Sequence, residues 1–177
     1  MGMTISKNTL RNWLTKDKTY LDELVCVLKS IALEKDSIVN CDETWCKVRK
    51  YDHYKKCYIG VLVNKARKTA IFFYENGSRG RDVLTDFLGD AELKSIMSDG
   101  YNAYVFIGNE LKSARFKYGS DAGAGMAATY HSMIGTVKLH GSSVWNFIGT
   151  FFKKIFNGCR DYVNMVPDKI TLATSQC

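Results

Sequence analysis

The chain of 177 residues is short of several things, and each shortage excludes something. It has one proline, Pro167, so no Pro-rich linker divides it. No apolar run approaches the ~20 residues that a membrane-spanning helix needs. No apolar core follows Met1, so no secretory signal is expected. The three histidines stand at no zinc-finger spacing from the six cysteines, and no Cys-x-x-Cys pair occurs, which argues against a zinc site. A chain of this length builds a core without staples, so Cys26, Cys41, Cys46, Cys57, Cys159 and Cys177 are expected as buried free thiols. Asn76-Gly-Ser-Arg-Gly80 lacks the Gly-Lys-Ser/Thr of a phosphate-binding loop. No internal repeat is visible. With 46% hydrophobic and 24% charged residues the chain is globular, not disordered. A soluble, cytoplasmic protein with no membrane partner is the expectation.

What is present begins with charge. Twenty-five Lys and Arg oppose 18 Asp and Glu, a net +7. Residues 1–56 carry 11 basic and 8 acidic groups, residues 57–112 carry 7 and 7, and residues 113–177 carry 7 and 3. The excess therefore flanks a neutral middle. Such a balance suits a polyanionic partner such as nucleic acid, or simply a solvated surface.

The hydrophobic period changes along the chain. Leu10, Trp13, Leu14, Leu21, Leu24, Val25, Leu28 and Ile31 recur at helical spacing, and Ser6 is a candidate cap, so two amphipathic helices are predicted in 7–34. Residues 37–49 read as a strand, 50–56 as a polar hairpin loop, 57–63 as a strand buried on both faces, and 69–74 as a third strand. Short turns between them imply an antiparallel meander. Val83, Leu84, Phe87 and Leu88 share a helical face, closed by Gly89. Leu93 to Met97 is a short strand. Two helices follow a Gly/Ala-rich stretch at 119–125, and the second, 144–156, is unusually aromatic. The order β-β-β-α-β predicts an α/β (α+β) core of ribonuclease-H-like type, flanked by N-terminal and C-terminal helices.

Two acids stand out by position. Asp42 lies inside the apolar strand Val39-Asn-Cys-Asp-Glu-Thr-Trp45, and Asp99 follows another strand, just before Gly100. A carboxylate in an apolar strand is costly unless paired or bound to a cation. Strand alternation puts Asn40, Asp42 and Thr44 on one face and Cys41, Glu43 and Trp45 on the other. Carboxylates on neighbouring strand ends can share divalent ions, which take oxygen ligands and activate water. The alternative is a local cap at Asp42 and a turn at Asp99-Gly100. Lys7 and Arg11 on the first helix, and Lys65, Arg67 and Lys68 in one turn, are candidate phosphate contacts; solvated surface is their alternative. His131 and His140, nine residues apart, suit helix packing better than metal ligation.

Several segments resemble the IS66-type insertion-sequence transposases. They are Ile5-Ser-Lys-Asn-Thr-Leu-Arg-Asn-Trp-Leu14, Cys41-Asp-Glu-Thr-Trp45, Asp86-Phe-Leu-Gly89, Ser98-Asp-Gly-Tyr101, Gly119-Ser-Asp-Ala-Gly123, Ala127-Ala-Thr-Tyr-His-Ser132 and Thr136-Val-Lys-Leu-His-Gly141. Their order and spacing span residues 5 to 160. The resemblance implies a DDE-type enzyme that uses three acids to hold two Mg²⁺ or Mn²⁺ ions. Its reaction is DNA cleavage followed by strand transfer. Asp42 matches the family's first acid and Asp99 the second, 57 residues on, so both are implied as catalytic residues and metal ligands, with Asp42 the bridge between ions. Transposon-end DNA, a second copy or a full-length transposase are the implied partners, in a bacterial cytoplasm and at the nucleoid when DNA-bound.

The departure from the family lies after Asp99. The family's long insert with the third acid is missing, as if deleted near residues 108–116. Gly125-Met126 and Met133-Ile-Gly-Thr136 stand where the family often has glutamate, and Glu110 and Asp121 match no catalytic position. The expectation is an incomplete catalytic core at 37–112 between helical segments at 1–36 and 113–177. It is a degenerate copy with impaired activity or, alternatively, a non-catalytic DNA-binding or regulatory fragment. An exposed apolar patch is expected on helix 144–156.

Overall fold

The computed structural model describes residues 5–50, 52–78, 81–98 and 117–174. The expected pair of N-terminal helices is one 26-residue helix, α1 (Lys7–Ala32). No glycine or proline interrupts that stretch, so nothing breaks the ladder. Ser6 caps it, its Oγ accepting from the Thr9 N–H at 3.0 Å. Leu21, Leu24, Leu28 and Ala32 form its buried stripe. Leu10, Trp13 and Leu14 continue that stripe into solvent.

Strands β1 (Ile38–Lys50), β2 (His53–Asn64) and β3 (Thr69–Phe73) make the expected antiparallel meander. The expected loop at 50–56 is mostly strand. The register runs unbroken from Asn40↔Val63 to Lys50↔His53, leaving two residues between the arms. Helix α2 (Arg81–Leu88) follows, and Gly89, at φ 56, closes it by donating to Thr85 O at 2.9 Å. Strand β4 (Ser95–Ser98) returns parallel to β1, and the short β5 (Lys117–Tyr118) also runs parallel to β1 further along. The sheet order is β3-β2-β1-β4, with β5 beside the far half of β1. Between β4 and β5, residues 42–46 of β1 have no strand on that edge among the described residues.

Helix α3 (Asp121–Leu139) starts inside the Gly/Ala-rich stretch, where Ser120 Oγ accepts from the Gly123 N–H at 3.1 Å. Small residues let it approach closely, and Ala124 and Ala128 are buried against Val61, Ile59 and Cys57 of β2 and Cys46 and Val48 of β1. Its hydroxyls also close the outer edge of β3. Thr136 Oγ1 accepts from Ala70 N–H and donates to Ala70 O, both at 3.1 Å. Ser132 Oγ accepts from Phe72 N–H at 2.7 Å, with Ala128 O at 2.8 Å and Phe72 O at 3.2 Å to receive its proton.

Helix α4 (Val144–Phe156), a 3₁₀ turn (Tyr162–Asn164) and helix α5 (Pro167–Thr174) complete the described chain. Phe147, Phe151 and Ile155 of α4 join one core with Leu24 and Leu28 of α1, Leu62 and Ile71 of the sheet, and Met133 and Val137 of α3. The stripe on α4 is thus core, whereas Trp145 and Phe156 are 83% and 78% exposed. Among the described residues no helix is long and apolar enough to cross a membrane.

Candidate active site

Strand alternation places Asp42 on the same face as the buried Cys46 and Val48, opposite Val61 of β2. Its carboxylate is half-buried, and Oδ1 accepts from the Glu43 N–H at 2.8 Å. Among the described residues no Lys or Arg forms an ion pair with it. Glu43 is exposed on the opposite face, across from Gly60. Asn40 and Thr44 flank Asp42 on its own face, the first buried and the second half-buried. The parallel register pairs Cys41 with Ser98, the last residue of β4. Asp42 comes next along β1. Asp99 comes next after Ser98 in sequence and lies outside the described residues, as do Tyr101, Tyr104 and Glu110.

The oxygen chemistry of Asp42 suits Mg²⁺ or Mn²⁺. One carboxylate is a fraction of a site, and the described residues bring together no group of three His, Cys, Asp or Glu around it. The neighbouring thiol, Cys41, lies on the opposite face of β1 from Asp42. Burial, helped by the charges of Glu43 and Asp42, pushes Cys41 up to about 11. Burial beside Cys57 does the same for Cys46.

Asp121 has a different task. Lys50 and Tyr74 both donate to its carboxylate, the tyrosine at 2.5 Å, and they hold its pKa below the usual range, Lys50 first. These bonds tie the ends of β1 and β3 to the first turn of α3. His131 lies with its ring 5.5 Å from that of Phe72, and burial lowers its pKa, with Lys138 adding to the effect. Burial lowers His140 as well. His131 packs on the sheet, and His140 is half-buried at the C-terminal cap of α3.

The candidate phosphate contacts are not one patch. Lys7 and Arg11 are exposed on the first turns of α1. Lys65, Arg67 and Lys68 lie exposed in the β2–β3 turn, beyond the other end of that helix, roughly 30–40 Å away at about 1.5 Å per residue. Arg67 is already engaged: its guanidinium pairs with Glu34, and its N–H donates to Asn64 Oδ1 at 3.0 Å. Asn64 in turn donates to Ala32 O at 2.9 Å, which pins the turn to the end of α1.

Comparison with known families adds the deciding observation: the model described as Transposase IS66 family matches residues 1–115. The chain belongs to the IS66 transposase family. The match covers α1, the meander, α2 and β4, and ends before β5 and the C-terminal helices. No curated protein and no solved structure matches this transposase-family chain.

A cationic surface escaped the reading of the sequence. The face of the β1–β2 ribbon turned away from α3 carries Trp45, Lys47 and Arg49 on one strand and Tyr54, Lys56 and Tyr58 on the other. The signal was the alternation in Trp45-Cys-Lys-Val-Arg49, and it was hidden because the polar partner strand resembles a loop.

Proposed function

We propose that this IS66-family chain descends from a DDE-type DNA transposase and keeps the first two acids, Asp42 and Asp99, of a site that no longer cuts DNA efficiently. The observation that carries this reading is the Cys41↔Ser98 register, since Asp42 and Asp99 each follow one member of that pair in sequence. The strand order β3-β2-β1-β4, with β4 parallel to β1, supports a ribonuclease-H-like origin of the core. Asp42 and Asp99 would be the metal ligands, and bound Mg²⁺ or Mn²⁺ would activate water and stabilise a leaving oxygen. Asp42 would supply a half-buried oxygen ligand. Support for degeneracy comes from the family match ending at residue 115, inside the 108–116 stretch where the sequence departs from the family pattern.

Lys7, Arg11, Lys65, Arg67 and Lys68 are the proposed backbone contacts to transposon-end DNA, in two separate groups. A second reading, a non-catalytic fragment that competes for transposon ends or pairs with another copy, draws on the exposed apolar residues Leu10, Trp13, Trp145 and Phe156. A Mg²⁺- or Mn²⁺-dependent nicking assay on an end-containing duplex tests the primary reading. The expected result is no cleavage above background, with a metal-induced rise in melting temperature that Asp42→Ala and Asp99→Ala remove. Robust nicking abolished by Asp42→Ala would sink the degeneracy. Salt-sensitive DNA binding with no metal response favours the second reading.

A further inference from the structure

The β1–β2 ribbon has two unlike faces. One buries Cys46, Val48 and Cys57 in the cluster that holds Ala124 and Ala128 of α3. The other consists of three cross-strand rows: Trp45 opposite Tyr58, Lys47 opposite Lys56, and Arg49 opposite Tyr54. All but the half-buried Tyr58 are exposed, Trp45 by 40% and Tyr54 by 51%. Among the described residues of the ribbon, the nearest acid along this face is Glu43, one row beyond Trp45.

That arrangement works against folding. Like charges directly opposite on one face of an antiparallel pair are destabilising, and Lys47 and Lys56 are so placed. The cations are partly compensated by rings, with Lys56 Nζ 5.7 Å from the Trp45 ring centre and 5.5 Å from that of Tyr58. Three cations framed by three rings form a surface complementary to a chain of alternating phosphates and bases. Successive rows lie about 7 Å apart, two residues of strand, which is the scale of one nucleotide in an extended strand. Sequence-tolerant binding of single strands uses this combination of cationic track and stacking rings.

We propose that this ribbon face binds an unpaired DNA strand, with Lys47, Lys56 and Arg49 on phosphates and Trp45 and Tyr54 stacked on bases. The inference deepens the reading of the chain as DNA-handling by naming a binding face and the form of DNA it takes. The face lies on the side of β1 opposite Asp42 and begins three residues beyond it.

The full chain with Trp13→Phe and Trp145→Phe keeps Trp45 as its single tryptophan. A thymidine oligonucleotide of about a dozen residues should quench its fluorescence, more tightly than a duplex of equal length. Tyr54→Ala should weaken binding about fivefold to a hundredfold. Lys47→Glu should weaken binding about tenfold or more and lower the salt slope by about 0.7 per lost phosphate contact. It should also hold or raise the melting temperature, because a carboxylate then faces Lys56. Opposite signs for stability and affinity are not expected of a merely structural lysine, and Lys47→Gln repeats the test if the glutamate variant misfolds. Absence of quenching, unchanged affinity in Tyr54→Ala and Lys47→Glu, tighter duplex binding, or equal binding of polyglutamate would each overturn the proposal. Loss of Asp42-dependent metal response with ribbon binding intact would overturn only the reading of the active site.

Discussion

On one edge of the sheet, the outward groups of Ala70 and Phe72 are closed by two helix hydroxyls. On the other, the described residues set two short strands beside β1, and Asp42 lies in the stretch between them. An unpaired strand edge invites further pairing. Covering β3 with α3 removes that liability, at the cost of burying Ser132 and Thr136, which are tolerable inside because each hydroxyl both gives and receives. Among the described residues, 42–46 of the β1 edge have no such cover. The difference separates an edge where the outward groups of Ala70 and Phe72 are bonded to helix hydroxyls from one where a half-buried carboxylate stands among the described residues with a local N–H as its partner.

The largest expected effect comes from unsealing the first edge. Ser132→Ala and Thr136→Val each strand buried groups of β3 and should cost about 1–3 kcal/mol, read from urea midpoints at constant m. A loss below about 0.5 kcal/mol, the range of surface changes, would show that the hydroxyls merely accompany the packing.

Acid should come next. His131 packs on Phe72 at the sealed edge and is held below its ordinary 6.5, chiefly by burial. The unfolded chain takes up that proton more readily, so the contribution is present above pH 6.5 and lost as pH falls towards the folded value. His140 acts in the same direction, and Asp121, lowered by Lys50 and Tyr74, adds its loss further into acid. Thermal melts between pH 7 and about 5 should fall less steeply in His131→Gln. A parallel fall would place the acid sensitivity elsewhere.

The smallest effect is expected at the β1 edge. Asp42→Ala should change stability by less than about 0.5 kcal/mol without metal, because the carboxylate has a local N–H partner and no cation among the described residues. A loss near 2 kcal/mol would mean that Asp42 is structural and would erase the contrast between the edges.

How much was legible in the sequence depends on which neighbours each segment found. Val61, Leu62 and Val63 are buried whichever way the strand turns, so β2 was recognisable from its apolar run. Residues 53–56 are polar and exposed, and exposed strand is hard to distinguish from loop by polarity alone. Helix α3 begins at Asp121, earlier than its Gly-rich start suggests, because burial of Ala124 and Ala128 and the Ser120 cap outweigh the low helix propensity of Gly123 and Gly125. On the aromatic α4, Phe147, Phe151 and Ile155 recur at helical spacing and are buried, while Trp145 and Phe156 fall off that stripe and form the exposed apolar surface that its aromatic content suggests.

The sequence by itself determined the family, the meander followed by a helix and a returning strand, and the unusual placement of Asp42 in an apolar strand. Those depend on local period and on residue order, which a linear text carries. Only the tertiary structure decided that Asp121 is a structural tie, that the two groups of basic residues lie at opposite ends of α1, and that Lys47 faces Lys56 between aromatic rows. Each of these depends on register or on contacts between distant segments, and neither quantity exists until the chain has folded.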